Sequence, residues 1–91
     1  MCSIDIEEAG SVYNVLVTLD GPSSEDFIVH IWPDGQEDKT WYRLQRQTST
    51  ELSYTFLPQG GRNGKRYHFH VYMLQKSGKP LYVGETSERI Y

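Results

Sequence analysis

Apolar and polar side chains alternate with period two through most of this chain, and the longest alternating run extends from Gly64 to Leu74. Tyr67, Phe69, Val71 and Met73 share one parity, and His68, His70, Tyr72 and Leu74 share the other. That is the pattern of a strand with one face on a core and a wetter face opposite, and it predicts the central strand. Met1 to Glu8 reads as a short edge strand, with Ile4 and Ile6 against Asp5 and Glu7. Val12 to Leu19 is the second strand, with Tyr13, Val15, Val17 and Leu19 inward. Phe27 to Trp32 is the third, with Phe27, Val29 and Ile31 toward the core and Ile28, His30 and Trp32 opposite.

Lys39 to Gln45 is expected to form a fourth strand carrying Trp41 and Tyr42. Parity alone leaves open which ring is core, and the usual core tryptophan of a sandwich points to Trp41. Leu52, Tyr54 and Phe56 mark a fifth strand, and Leu81 to Thr86 a seventh, with Ser87 to Tyr91 either finishing it or leading onward. Between them, Asp20-Gly21-Pro22, Pro33-Asp34-Gly35, Pro58 to Gly64 and Ser77-Gly78-Lys79-Pro80 supply turn chemistry. No segment holds the three-and-four spacing of an amphipathic helix. Seven short antiparallel strands without a helix predict an all-β immunoglobulin-like or fibronectin-III-like sandwich.

Length makes this one module over residues 1–91, read as a piece of a larger protein. The aromatic share, 13% of residues, suits a small β domain because each ring buries a large area. A net charge of −3 with mixed signs gives no field to hold a polyphosphate backbone, so nucleic acid is a poor partner. Arg62, Lys65 and Arg66 make one local basic cluster, which reads as solvated. No apolar run approaches the ~18 residues of a membrane span, and no membrane partner is expected. Cys2 is the sole cysteine, so an internal disulfide is impossible, and an export signal would lie outside this stretch.

Catalysis finds little support. There is no glycine-flanked serine elbow, the one cysteine is terminal, and neither glycine-rich turn leads into a helix that could hold phosphate. The expectation is a non-enzymatic domain without a cofactor.

Several segments keep a recognisable order: Val29-x-Ile31-Trp32, the acidic stretch Asp34 to Asp38, Trp41-Tyr42, Gly64-x-x-Tyr67-His68-x-His70-Val71-Tyr72, then Gly78 before Val83-Gly84. This succession, from about Val12 to the end, resembles the GBS Bsp-like repeat family of streptococcal and related Gram-positive surface proteins. The resemblance implies a module that is not itself catalytic, present in tandem copies or beside peptidoglycan hydrolases, outside the cell and associated with the wall. Its implied partners are cell-wall glycan or peptidoglycan and the neighbouring domains of the parent protein. Arg43-Leu44-Gln45-Arg46 departs from the pattern, being more polar and basic than the small residue expected after Trp-Tyr.

In such a sandwich the third, central and seventh strands share a sheet. Their non-core parities then bring His30 and Trp32 toward His68, His70 and Tyr72, with Tyr82 at the edge. Exposed rings stack on the C–H faces of sugars while neighbouring polar groups take hydroxyls. The candidate binding residues are Trp32, His68, His70 and Tyr72, with Tyr42 as an outside candidate. The competing reading is that these rings pack on one another or against a neighbouring repeat. Three histidines could bind zinc, but His68 and His70 stand two apart with no acidic residue in their strand, so no metal site is expected. Imidazoles would instead add positive charge to the face in mild acid. Asp34, Glu37 and Asp38 lack the spacing of a calcium loop and read as turn chemistry. Tyr67 is expected to anchor the sandwich corner through a backbone hydrogen bond.

Overall fold

The computed structural model describes residues 2–36, 40–58 and 63–91. Glu37 and Asp38 of the acidic stretch, Lys39 at the start of the expected fourth strand, Gln59, Gly60 and Gly61 of the glycine-rich turn, and Arg62 of the basic cluster lie outside the described residues. Eight strands, and no helix, occur among the described residues: β1 Cys2–Ala9, β2 Val12–Leu19, β3 Asp26–Pro33, β4 Trp41–Arg43, β5 Gln45–Arg46, β6 Glu51–Phe56, β7 Lys65–Leu74 and β8 Pro80–Ile90. They form two antiparallel four-stranded sheets, in the orders β1-β2-β6-β5 and β4-β3-β7-β8.

The core lies between the sheets and is built from the alternating positions read in the sequence. Tyr13, Val15, Val17 and Leu52 come from one sheet, and Phe27, Val29, Ile31, Tyr67, Phe69 and Val71 from the other. Phe56 crosses the gap edge-on to Tyr67 and Phe69, with centroids at 5.2 and 5.9 Å. Each fully buried side chain of this size stabilises the fold by about 1.5–3 kcal/mol relative to exposure. β7 is central in fact, paired with β3 on one side and β8 on the other.

The fourth strand divides in two, giving eight strands where the alternation predicts seven. Leu44 breaks it: its amide donates to the Phe27 carbonyl of β3 at 2.9 Å, while Gln45 and Arg46 pair with Ser53 and Leu52 of β6 in the opposite sheet. The Leu44 side chain, 4% exposed, plugs the core where the chain changes sheets. Polar neighbours then make sense on both sides of it. Arg43 pairs with Asp26 at 2.9 Å on the outer face. Arg46 donates from Nη2 to the Glu25 carbonyl at 2.6 Å and from Nη1 to the Thr48 and Ser49 carbonyls at 3.1 and 3.3 Å.

Trp41 is not the core tryptophan. It shares parity with Arg43 and faces outward, whereas Tyr42 turns inward and stacks on Tyr54 at 4.8 Å. Tyr67 is buried at the corner as expected, and among the described residues its hydroxyl accepts from the Asn63 side chain at 3.1 Å. The same Asn63 accepts from the Lys65 amide at 2.9 Å, so one side chain fixes both the turn and the ring.

β8 runs past Thr86 to Ile90, which is fully buried. Its pairing with β7 slips once: Val71 opposes Gly84 and Tyr72 opposes Tyr82, leaving Val83 as a bulge. The slip turns Tyr82 and Glu85, three apart, onto the same face, which simple alternation would put on opposite faces.

Candidate binding face

The outward side of the β4-β3-β7-β8 sheet is arranged in cross-strand rows. Trp41, His30, His70 and Glu85 lie side by side in one row. Arg43, Ile28, Tyr72 and Tyr82 form the next on one side, and Trp32, His68 and Ser87 the next on the other. Beyond His68, Arg66 stands opposite Arg89. Residues directly opposite in an antiparallel pair have Cβ atoms about 4.5–5.5 Å apart, so the rings of adjacent strands must meet.

They meet mostly edge to face. Trp32 lies T-shaped to His70 at 4.6 Å, Trp41 to Tyr72 at 4.8 Å, Tyr72 to Tyr82 at 5.8 Å and His70 to Tyr82 at 5.9 Å. Stacked contacts join His30 to Trp41 at 5.2 Å and Trp32 to His68 at 5.4 Å, and His30 reaches Trp32 at 4.7 Å. Such pairs contribute about 0.5–1.5 kcal/mol each beyond their burial. His30, 6% exposed, is the floor of this layer, while Trp41 at 43% and Tyr82 at 49% form its accessible rim.

Two carboxylates border the rings. Asp34 sits in the turn from Pro33 to Gln36, closed by a Gln36 amide to Pro33 carbonyl bond of 3.2 Å, and contacts His68 Nε2. Gly35 takes φ of 85° there, which a side chain would strain, so this turn depends on glycine. Glu85 accepts the Tyr82 hydroxyl at 2.5 Å, and its other oxygen lies 3.6 Å from His70 Nε2. The hydrogen bond to Glu85 is the main reason the Tyr82 phenol is pushed up to about 12, with desolvation and nearby negative charge adding to it. Tyr82 therefore holds its proton and acts as a donor. Among the described residues no three His, Cys, Asp or Glu side chains converge as metal ligands would.

Of the residues the sequence singles out, Trp32, His68, His70 and Tyr72 come together on this face, over His30 and beside Tyr82. Tyr42 does not join them. It lies on the inner side, lining a cavity of about 260 Å³ with Ile31, Pro33, Phe56 and Tyr67. Sequence reasoning missed Trp41, Asp34, Glu85 and the arginine pair as members of the face. Trp41 had a usable signal, since its same-parity neighbour Arg43 is charged. Glu85 had none, because the Val83 bulge reverses its parity. The chain matches no protein-family model, and no similar sequence was found among curated proteins.

Proposed function

We propose that this chain is a non-catalytic binding module of an extracellular bacterial protein, whose outer aromatic face attaches to cell-wall glycan or spaces a neighbouring domain against the wall. The observation that carries the reading is the connected layer of Trp41, His30, Trp32, His68, His70, Tyr72 and Tyr82 on one open sheet face. Rings of this kind offer π-faces to the C–H side of a sugar, while Asp34, Glu85 and the imidazoles can exchange hydrogen bonds with its hydroxyls. An immunoglobulin/fibronectin-III-like topology is the finer fold reading. Its support is the division into β1-β2-β6-β5 and β4-β3-β7-β8, with the chain changing sheets at Leu44. The wall setting, and kinship with GBS Bsp-like repeats, rest on the order of sequence motifs.

The test is co-sedimentation of the purified domain with peptidoglycan sacculi. Enrichment on the sacculi is expected, and Trp32→Ala, Trp41→Ala and Tyr72→Ala should each weaken it several-fold under conditions where urea denaturation shows the variant still fully folded. Absence of enrichment on walls from several Gram-positive species would sink direct wall binding. A second reading, contact with a neighbouring module, is favoured by the same exposure of Trp41 and Tyr82, since aromatic residues with arginines at the margin are typical interface anchors. It would show instead as self-association of a tandem protein that the same substitutions abolish.

A further inference from the structure

Arg66 and Arg89 stand directly opposite each other where β7 begins and β8 ends, on the outward parity beside Trp32 and His68. Like charges in that register repel and lower stability. Neither guanidinium has a carboxylate within ion-pair distance among the described residues; Arg66 donates from Nη1 to Ser87 Oγ at 3.3 Å and Arg89 from Nη1 to the Gly64 carbonyl at 2.7 Å. A guanidinium carries five N–H donors, so most of each fork remains for another partner. Asp34, the carboxylate beside Trp32 and His68, is engaged by His68.

From this juxtaposition we propose that the aromatic face takes a glycan bearing carboxylate groups, with Arg66 and Arg89 as its anion subsite. The inference rests on the aromatic-face reading above and adds a ligand class to it. Same-face neighbours along a strand are about 7 Å apart, so Arg66 lies one such step from His68. A sugar ring stacked over Trp32 and His68 then carries a ring substituent onto the arginine pair. A carboxylate fits the planar fork with two parallel hydrogen bonds. A polyol-phosphate chain would satisfy the arginines equally well, but it has no pyranose face for the rings, which is why the carboxylated sugar is favoured. Asp34 remains an acceptor for hydroxyls and disfavours a second acidic group at its own end of the face.

Titration calorimetry with three probes tests this: the neutral N-acetylglucosamine tetrasaccharide, the alternating N-acetylglucosamine and N-acetylmuramic acid tetrasaccharide with free carboxylates, and a glycerol-phosphate polymer. The carboxylated chain should bind about tenfold tighter than the neutral one, a difference of about 1.4 kcal/mol. That preference should shrink as salt rises, a measurement the unaltered domain allows. In the double variant R66Q/R89Q the ratio of the two affinities should fall to about one, and Lys76→Gln, in the turn between β7 and β8, should leave it as it is. Equal binding of neutral and carboxylated chains overturns the subsite but spares the aromatic face. Preference for the glycerol-phosphate polymer, or a preference that survives R66Q/R89Q with the fold intact, overturns the assignment. Failure of all three probes overturns both readings.

Discussion

Tyr82 is exposed, yet its proton is firmly held, because the phenol donates to the Glu85 carboxylate at 2.5 Å. The phenol is raised from 10.0 to about 12, so folding favours its neutral form. The sign follows: whatever this bond adds to stability is fully present below pH 10 and is lost as the pH climbs through about 12. An alkaline titration followed by phenolate absorbance should reveal a tyrosine that ionises after the accessible ones. Glu85→Gln should return that tyrosine toward the ordinary range, because the negative acceptor is gone; an unchanged titration would refute the pairing. Since Glu85 also lies 3.6 Å from His70, the substitution should loosen the His70 ring as well. Such pairs let individual side chains be aimed before any ligand arrives, and aiming is what a binding face of mostly edge-to-face rings requires.

Among the elements, the jog from β4 to β5 decides most about which surface faces out. Leu44 fills the core at the crossing, whereas Trp41, three residues earlier, rests on His30 and Tyr72 above the sheet. Leu44→Ala should therefore lower unfolding free energy by about 2–4 kcal/mol, the cost of a buried cavity. Trp41→Ala should cost only about 1–2 kcal/mol, the value of ring contacts and partial burial. Urea denaturation of both variants checks the order, and a larger loss for Trp41 would restore it as the core tryptophan. Alternation made β2, β3, β6 and β7 legible in the sequence, because each keeps one core-facing parity for its whole length. It also brought Trp32, His68, His70 and Tyr72 to one face, since two uninterrupted, directly paired strands, β3 and β7, carry them. What alternation could not convey were its interruptions. Leu44 ends one pairing and starts another within a single residue, and the Val83 bulge reverses parity without any proline or polar signal. The second break accounts for the missed Glu85, whereas Trp41 and Tyr42 are misplaced by the expectation of a core tryptophan, although Tyr42 shares its inward parity with the buried Leu44.

At the scale of the molecule, two outer faces of different chemistry enclose one core. The β1-β2-β6-β5 side presents Ser3, Asp5, Glu7, Asn14, Thr18, Ser53 and Thr55, with Thr55 donating to Asn14 at 3.1 Å, and the other side presents the rings. Edges are handled differently on the two flanks. β4 and β5 are only three and two residues long, too short to template another strand. β1 and β8 are long, at 8 and 11 residues, and protect each other by lying close along one flank. Gly84 permits that approach: a Cβ there would stand 3.3 Å from Cys2 Sγ and 3.6 Å from Ile4 Cδ1. Cys2 in turn donates weakly from its thiol to the Val83 carbonyl at 3.8 Å, and its burial is the main cause that pushes the thiol above 9.0. A thiol held protonated and partly covered reacts slowly, so Cys2 is a built-in reporter of this seam. Gly84→Val should force β1 away from β8, speed the reaction of Cys2 with a disulfide reagent several-fold, and uncover two long edges whose pairing between molecules would appear as dimers or larger species by light scattering. If labelling stays as slow as in the unaltered domain, the seam does not depend on Gly84, and the two edges must be protected by the Val83 bulge and the charges Glu85, Glu88 and Arg89 on β8 instead.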